Sequence, residues 1–170
     1  LSAAFDLLSS SEPVFAEYDV SIVDDGTEVM ACPLPPRHDL NAHPAIDEAN
    51  GLRPAYERAI AEYGNRVGAG RTVDAEDITT AIDAFIRIAD GVPWKEANVP
   101  GIPARVSQDI RGYYETAALA LSDHAPAAWA GTRWFLDHTE AGKVLMSARQ
   151  AMADAGEKEP IWFYMAPGDR

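Results

Sequence analysis

Basic residues are scarce in this chain of 170 residues, because 14 lysines and arginines stand against 27 aspartates and glutamates and give a net charge of −13. The cations form no basic run at any point. A protein that binds the phosphate backbone of nucleic acid needs a clustered positive face, and an anionic membrane surface makes the same demand. The composition therefore argues against both nucleic acid and membranes as partners.

Cysteine is almost absent. Cys32 is the single cysteine, so the sequence has no intrachain disulfide framework and no zinc motif built on several cysteines. No apolar run approaches the roughly 20 residues of a membrane span, and residues 1–8 contain Asp6 and lack the basic leader of a secretory signal. These absences predict a soluble cytoplasmic protein.

Familiar catalytic motifs are also missing. The sequence contains no Gly-x-Ser-x-Gly nucleophile motif and no His-Glu-x-x-His zinc motif. A glycine-rich turn at 68–72 comes before a predicted helix, but it lacks the Gly-Lys-Ser/Thr spacing of a phosphate-binding loop. Cys32 lies in a predicted strand without a neighbouring base, which is typical of a small packing residue.

An N-terminal β-hairpin is predicted over residues 15–34. Tyr18, Val20 and Ile22 alternate with polar residues, and Asp25-Gly26 is a favoured two-residue turn. This register would place the apolar side chains of both strands on one face of the hairpin. We expect that face to contact the core.

Helices are predicted for most of the remaining chain, which we interpret as a single domain over residues 1–170. Two irregular stretches separate the helices, a Pro-rich loop at 33–51 and a Pro-punctuated connector at 92–103. Apolar residues recur at helical spacing after Pro54, which suits a first helical position, and again in four later segments. The five expected helices cover about 52–64, 75–90, 104–122, 126–137 and 139–155.

The tail is short, aromatic and rich in residues that favour strands. We expect residues 160–165 to add a strand to the N-terminal hairpin, because edge pairing would satisfy the backbone hydrogen bonds of the tail. The predicted fold class is therefore α+β. It has a helical majority of four to five helices and a small antiparallel sheet, formed by the hairpin and this added C-terminal strand.

The Pro-rich loop holds the densest group of potential metal ligands. His38 and His43, with Asp39, Asp47 and Glu48, supply imidazole and carboxylate groups of the kind that bind zinc, iron or manganese. The candidate ligands among them are His38, His43 and Asp47. The competing interpretation is a polar loop with surface histidines. Because Pro44 disfavours helical geometry at the preceding residue, His43 is expected to be a helix N-cap.

Aromatic residues are concentrated towards the C-terminus, and they have two interpretations. They could belong to the core, or they could line a pocket or a partner-binding surface, where tryptophan and tyrosine are common. Under the second interpretation, the candidate binding residues are Tyr114, Trp129, Trp134, Trp162 and Tyr164.

Two functional hypotheses follow. The first is a small acidic, non-catalytic domain or subunit that docks a protein partner or an apolar small molecule through its aromatic C-terminal region. The alternative is a small enzyme with a His/carboxylate site, with or without a metal, around the Pro-rich loop. An enzyme needs several polar groups converging in a concavity, whereas a docking domain exposes an apolar surface without them.

Overall fold

The computed structural model describes residues 2–14, 32–65, 68–122 and 129–167. Within these ranges all of the regular secondary structure is helical. The α-helices are α1 Ser2–Leu7, α2 Pro44–Tyr63, α3 Ile78–Ala89, α4 Pro103–Leu119, α5 Ala130–His138, α6 Glu140–Asp154 and α7 Glu159–Trp162. Two 3₁₀ turns, Ala75–Asp77 and Phe163–Met165, lead into α3 and follow α7.

The expected α+β class is wrong for the described residues, because none of them forms a strand. The predicted hairpin lies largely outside them, with only its last three residues, 32–34, inside. These three residues are irregular, so Cys32 is not in a strand.

The C-terminal tail is helical and not extended, which corrects the prediction of an added strand. Ile161 and Met165 are four residues apart, the spacing that places two apolar side chains on one helix face. Pro160 lies in the first turn of α7, where its fixed φ and missing N–H are tolerated. The β propensity of the consecutive aromatic residues predicted a strand. Packing of this segment against α4 and α6 buries Met165 in a helical turn instead.

Helix α2 begins eight residues earlier than the predicted start at about 52. Pro44 is the first helical residue, and the predicted initiator Pro54 lies inside the helix. His43 is the N-cap, as expected, and its Nδ1 accepts a hydrogen bond of 3.2 Å from the Ala45 N–H. A glycine is required at 51, because a β carbon there would lie 2.7 Å from Pro35 Cγ.

The later helices agree more closely with the prediction. In α3 and α6 most residues of the apolar stripe are buried, and the ends lie within a few residues of their predicted positions. Thr139 caps α6, because its hydroxyl accepts a bond of 3.0 Å from the Gly142 N–H. A β carbon at Gly142 would collide with the Phe135 carbonyl oxygen, so α6 begins in close contact with the end of α5.

Helix α4 is central to the packing, because it contacts α2, α3, α5 and the C-terminal turn. An aromatic series crosses the core through it. Tyr56 stacks on Tyr113 with 4.6 Å between ring centroids, and Tyr114 lies 5.0 Å from Phe135 on α5. No helix in the described part of the chain is long and apolar enough to cross a membrane.

Candidate functional site

The three candidate metal ligands of the Pro-rich loop do not converge on an open coordination site. Asp47 has its oxygens 2.9 Å from Arg37 Nε and 3.0 Å from each of the backbone nitrogens of His38 and Asp39. These bonds lower the pKa of Asp47, with the Asp39 amide the largest cause. The carboxylate therefore fixes the loop onto α2.

The two histidines of this loop have different positions. His38 is exposed, whereas His43 is engaged as the N-cap of α2. Over the described ranges, no group of three or more His, Cys, Asp or Glu side chains is placed to hold a metal ion.

Glu48, a potential metal ligand of the predicted Pro-rich loop, is instead a buried carboxylate on α2. Its Oε1 lies 3.0 Å from the Glu140 nitrogen, 3.2 Å from the Ala141 nitrogen and 3.0 Å from the Tyr114 hydroxyl. It thereby joins α2 to α4 and to the N-terminus of α6, where backbone donors and the helix dipole favour a negative charge. Burial nevertheless dominates and raises the pKa of Glu48, against the lowering effect of these hydrogen bonds.

The pKa of Glu48 is raised and that of Asp47 is lowered. We therefore expect the Glu48 contribution to the free energy of unfolding to change with pH in the opposite direction to that of Asp47. The folded state holds the Glu48 proton more tightly than the unfolded state does, so stability falls as pH rises from about 4.5 through the raised pKa. Glutamine does not titrate. Urea unfolding from pH 4 to 7 should therefore show the wild type losing stability relative to Glu48→Gln as pH rises, and a relative gain would contradict this assignment.

Asp109 is a second buried carboxylate with a structural role. It is 1% exposed, and it accepts hydrogen bonds from the Thr72 and Val73 nitrogens at 2.7 and 2.9 Å. The Arg71 nitrogen lies 3.3 Å from its other oxygen. The amides of the glycine-rich turn are thus directed at an internal carboxylate, where a phosphate-binding loop would offer them to a ligand.

Cys32 is buried and unpaired. Its Sγ lies 3.7 Å from the Ala118 carbonyl oxygen, and burial raises the pKa of the thiol. A protonated, enclosed thiol is a poor nucleophile, which agrees with the interpretation of Cys32 as a packing residue.

The five aromatic candidates divide into buried and accessible residues. Tyr114 is 0% exposed and Trp134 is 3% exposed, and their ring centroids lie 6.3 Å apart in the core. Trp129 is 69% exposed and precedes α5 with a φ of 67°. Tyr164 is 62% exposed, and Trp162 is partly buried. An external partner could thus reach Trp129, Trp162 and Tyr164.

The C-terminal aromatic surface consists of Trp162, Phe163 and Tyr164 together with Arg149 of α6. The Arg149 guanidinium lies 5.5 Å from the Trp162 ring centroid and 5.9 Å from that of Phe163, both within cation–π range. The Phe163 and Tyr164 rings meet edge to face at 5.3 Å. Beside them Met165 is 2% exposed, so the turn that carries these rings is anchored in the core.

Comparison with protein-family models, curated proteins and solved structures finds no match to this chain. The site must therefore be interpreted from its own contacts.

A shallow groove lies apart from the C-terminal aromatic surface, between α2 and the turn Ala75–Asp77. It has a volume of about 390 Å³, and its lining includes Tyr56 and Arg53 but none of the five aromatic candidates. The Arg53 guanidinium pairs with Glu57 on the same helix at 2.7 Å and with Glu76 across the groove at 2.6 Å. The Arg53 cation of the groove is therefore already paired with carboxylates of both α2 and the turn Ala75–Asp77.

Replacement by alanine of two adjacent tail residues, Tyr164 and Met165, should change the free energy of unfolding by very different amounts. Met165→Ala removes a buried side chain, and we expect it to lower the free energy of unfolding by about 2 kcal/mol. Tyr164→Ala changes a residue that is 62% exposed, and its effect should stay within about 0.5 kcal/mol. Urea unfolding followed by circular dichroism measures both, and equal losses would mean that Tyr164 is a core residue.

Proposed function

We propose that this protein is a small acidic, non-catalytic docking domain that binds a protein partner at the C-terminal aromatic surface. The observation that supports this proposal most strongly is the exposed Tyr164 ring beside the buried Met165. A large aromatic ring held on an anchored turn loses little conformational freedom when it binds, so more of its contact energy contributes to affinity.

The composition of the surface is typical of protein interfaces. Tryptophan, tyrosine and arginine are the residues most enriched among the few that dominate binding energy. Trp162 and Arg149 occur here together, and their mutual stacking orders both side chains. Trp129 is a further exposed aromatic candidate at the start of α5.

A protein partner has better support than an apolar small molecule. Small ligands usually occupy concave sites that bury most of their surface. The groove of about 390 Å³ is open and is lined by the charged side chains of Arg53, Glu57 and Glu76. None of the residues of the C-terminal aromatic surface lines it. The aromatic rings are thus better suited to contacts with another macromolecule.

The enzyme alternative has less support because two of the three candidate ligands of the Pro-rich loop already have structural roles. Asp47 is engaged by Arg37 and two loop amides, and His43 caps α2. A general base needs a free lone pair within reach of a substrate proton. A cytoplasmic location remains part of the proposal, and the buried, unpaired state of Cys32 supports it.

The docking proposal can be tested by site-specific photocrosslinking. A photoreactive phenylalanine analogue at 164 should capture a partner. The same analogue at 63 should not, because Tyr63 lies on α2, outside the C-terminal aromatic surface. Tyr63 is 48% exposed, so it is a suitable control for accessibility. With the purified partner, Tyr164→Ser should weaken binding at least about tenfold, the loss expected of a residue that dominates an interface. Tyr63→Ser is the matched control.

Two outcomes would overturn the docking proposal. One is equal capture of the same protein from positions 63 and 164, which would indicate adsorption without a defined site. The other is unchanged affinity of Tyr164→Ser for the captured protein, measured with a variant whose unfolding curve matches the wild type.

A further inference from the structure

We infer that residues 33–36 form a second interaction surface, a polyproline II ridge that fits a partner domain with a groove lined by aromatic side chains. This proline ridge contains none of the residues of the C-terminal aromatic surface, so the inference is independent of the docking proposal. The restricted backbone of the segment and the pattern of its burial carry the inference.

The sequence Pro33-Leu34-Pro35-Pro36 leaves its own backbone few conformations. A proline ring fixes φ at about −65° and removes the backbone N–H. A residue that precedes proline is disfavoured in the helical region, and this restriction applies to both Leu34 and Pro35. Together these limits favour the polyproline II helix, which has no internal hydrogen bonds. In agreement, residues 32–37 lie in neither a helix nor a strand.

Burial along this segment repeats every third residue. Cys32 is buried, and Pro35 packs so closely that a β carbon at Gly51 would lie 2.7 Å from its Cγ. Pro33 and Pro36 are exposed. A polyproline II helix has three residues per turn, so it places 32 and 35 on one side and 33 and 36 on the other. A strand would place 33 and 35 on the same side, which the burial contradicts.

The buried side of the segment fixes the proline ridge on the domain. Leu34 packs against the hydrophobic core, and the Cys32 Sγ lies 3.7 Å from the Ala118 carbonyl oxygen. The two exposed prolines are one polyproline II turn apart, which corresponds to about 9 Å. A segment that is already held in its bound conformation loses little entropy when it binds. The ridge is therefore preorganised for a partner.

The spacing of the two exposed prolines identifies the chemistry of that partner. Proline-rich segments with the spacing Pro-x-x-Pro bind in the aromatic-lined grooves of SH3, WW and EVH1 domains. Arg37, which follows the ridge, pairs with Asp47 at 2.9 Å and donates to two loop carbonyl groups. The ridge therefore offers a partner its proline rings, and the adjacent cation is held by the loop.

The test measures binding of the whole folded chain to a panel of purified SH3, WW and EVH1 domains by isothermal titration calorimetry. We expect at least one domain to bind. The double variant Pro33→Ala/Pro36→Ala should weaken that binding at least about tenfold, because it removes both rings from the groove.

The matched control is Pro93→Ala/Pro100→Ala, which changes two exposed prolines between α3 and α4. Both double variants remove the same number of prolines, so their unfolding curves should shift by similar amounts. The control should leave the affinity for the bound domain unchanged.

A synthetic peptide with the sequence of residues 32–38 tests the preorganisation of the ridge. The free peptide must lose conformational entropy when it binds, so it should bind the same domain more weakly than the whole chain does. Tighter binding of the peptide would show that the fold hinders access to the ridge, and it would overturn the inference.

Three further outcomes would also overturn the inference. They are no binding to any domain of the panel, equal effects of the two double variants, and loss of binding in Tyr164→Ser. The last of these would place the bound domain on the C-terminal aromatic surface. The docking proposal is decided separately by its own crosslinking result.

Discussion

Phe135→Ala should lower the free energy of unfolding by about 3–5 kcal/mol, the usual cost of deleting a buried phenyl ring and leaving a cavity. Phe135 is 0% exposed, and its ring packs 5.0 Å from that of Tyr114. The ring joins α5 to the central helix α4, and the local backbone already contacts Gly142 closely, so the site has little room to collapse. Urea unfolding monitored by circular dichroism at 222 nm gives the change directly.

Phe5→Ala is the matched control for that experiment. Phe5 is 65% exposed in α1, so the same chemical change should alter stability by no more than about 0.5 kcal/mol. A loss below about 1 kcal/mol for Phe135→Ala would mean that the α4–α5 contact is not part of the cooperative core.

Asp109→Ala should destabilise the protein by about 3 kcal/mol, because it leaves the amides of Thr72 and Val73 without their buried acceptor. Asp109→Asn keeps one acceptor oxygen and should cost less. Hydrogen exchange provides a second measurement, in which the amides of Thr72 and Val73 lose protection before the rest of the chain. Asp83→Ala, at an exposed position on α3, is the control.

Unchanged exchange of those two amides in Asp109→Ala would show that the turn holds its shape without the carboxylate. A comparable loss of stability in Asp83→Ala would instead point to a general effect of charge removal.

Helices with a narrow apolar face could be predicted from the sequence, and helices with burial on several sides only in part. In α3, Ile78, Ile82 and Phe85 recur at helical spacing and are all buried, so the period alone locates the helix. Helix α4 was located too, but its burial is not limited to one narrow apolar face. Asp109 and Tyr114 are buried there as well, because neighbours surround this helix.

The start of α2 and the tail could not be located from the local pattern. The helix extends back to Pro44 because His43 caps it and Asp47 fixes the preceding loop, contacts that no periodicity reveals. The tail residues 160–165 have high β propensity. Packing against α4 and α6 rewards a helical turn instead.

The buried carboxylates were missed or misinterpreted because their partners lie far away in the sequence. Glu48 and the amide of Glu140 are 92 positions apart, and Asp109 and Thr72 are 37 positions apart. Asp47 invited interpretation as a metal ligand because two histidines are near it in sequence. A carboxylate that accepts from loop amides has no local signature, so none of the three roles could be derived without the fold.

The close contact at Gly142 has a consequence for ancestry. Any side chain at 142 would force α6 away from the Phe135 carbonyl group, and any side chain at 51 would displace Pro35. The exposed Tyr164 carries no such constraint from the fold. We therefore expect distant homologues of this chain to keep glycine at both positions, while their exposed aromatic residues change with their binding partners. A sequence search that requires glycine at both positions is expected to find related proteins whose overall sequence similarity is low.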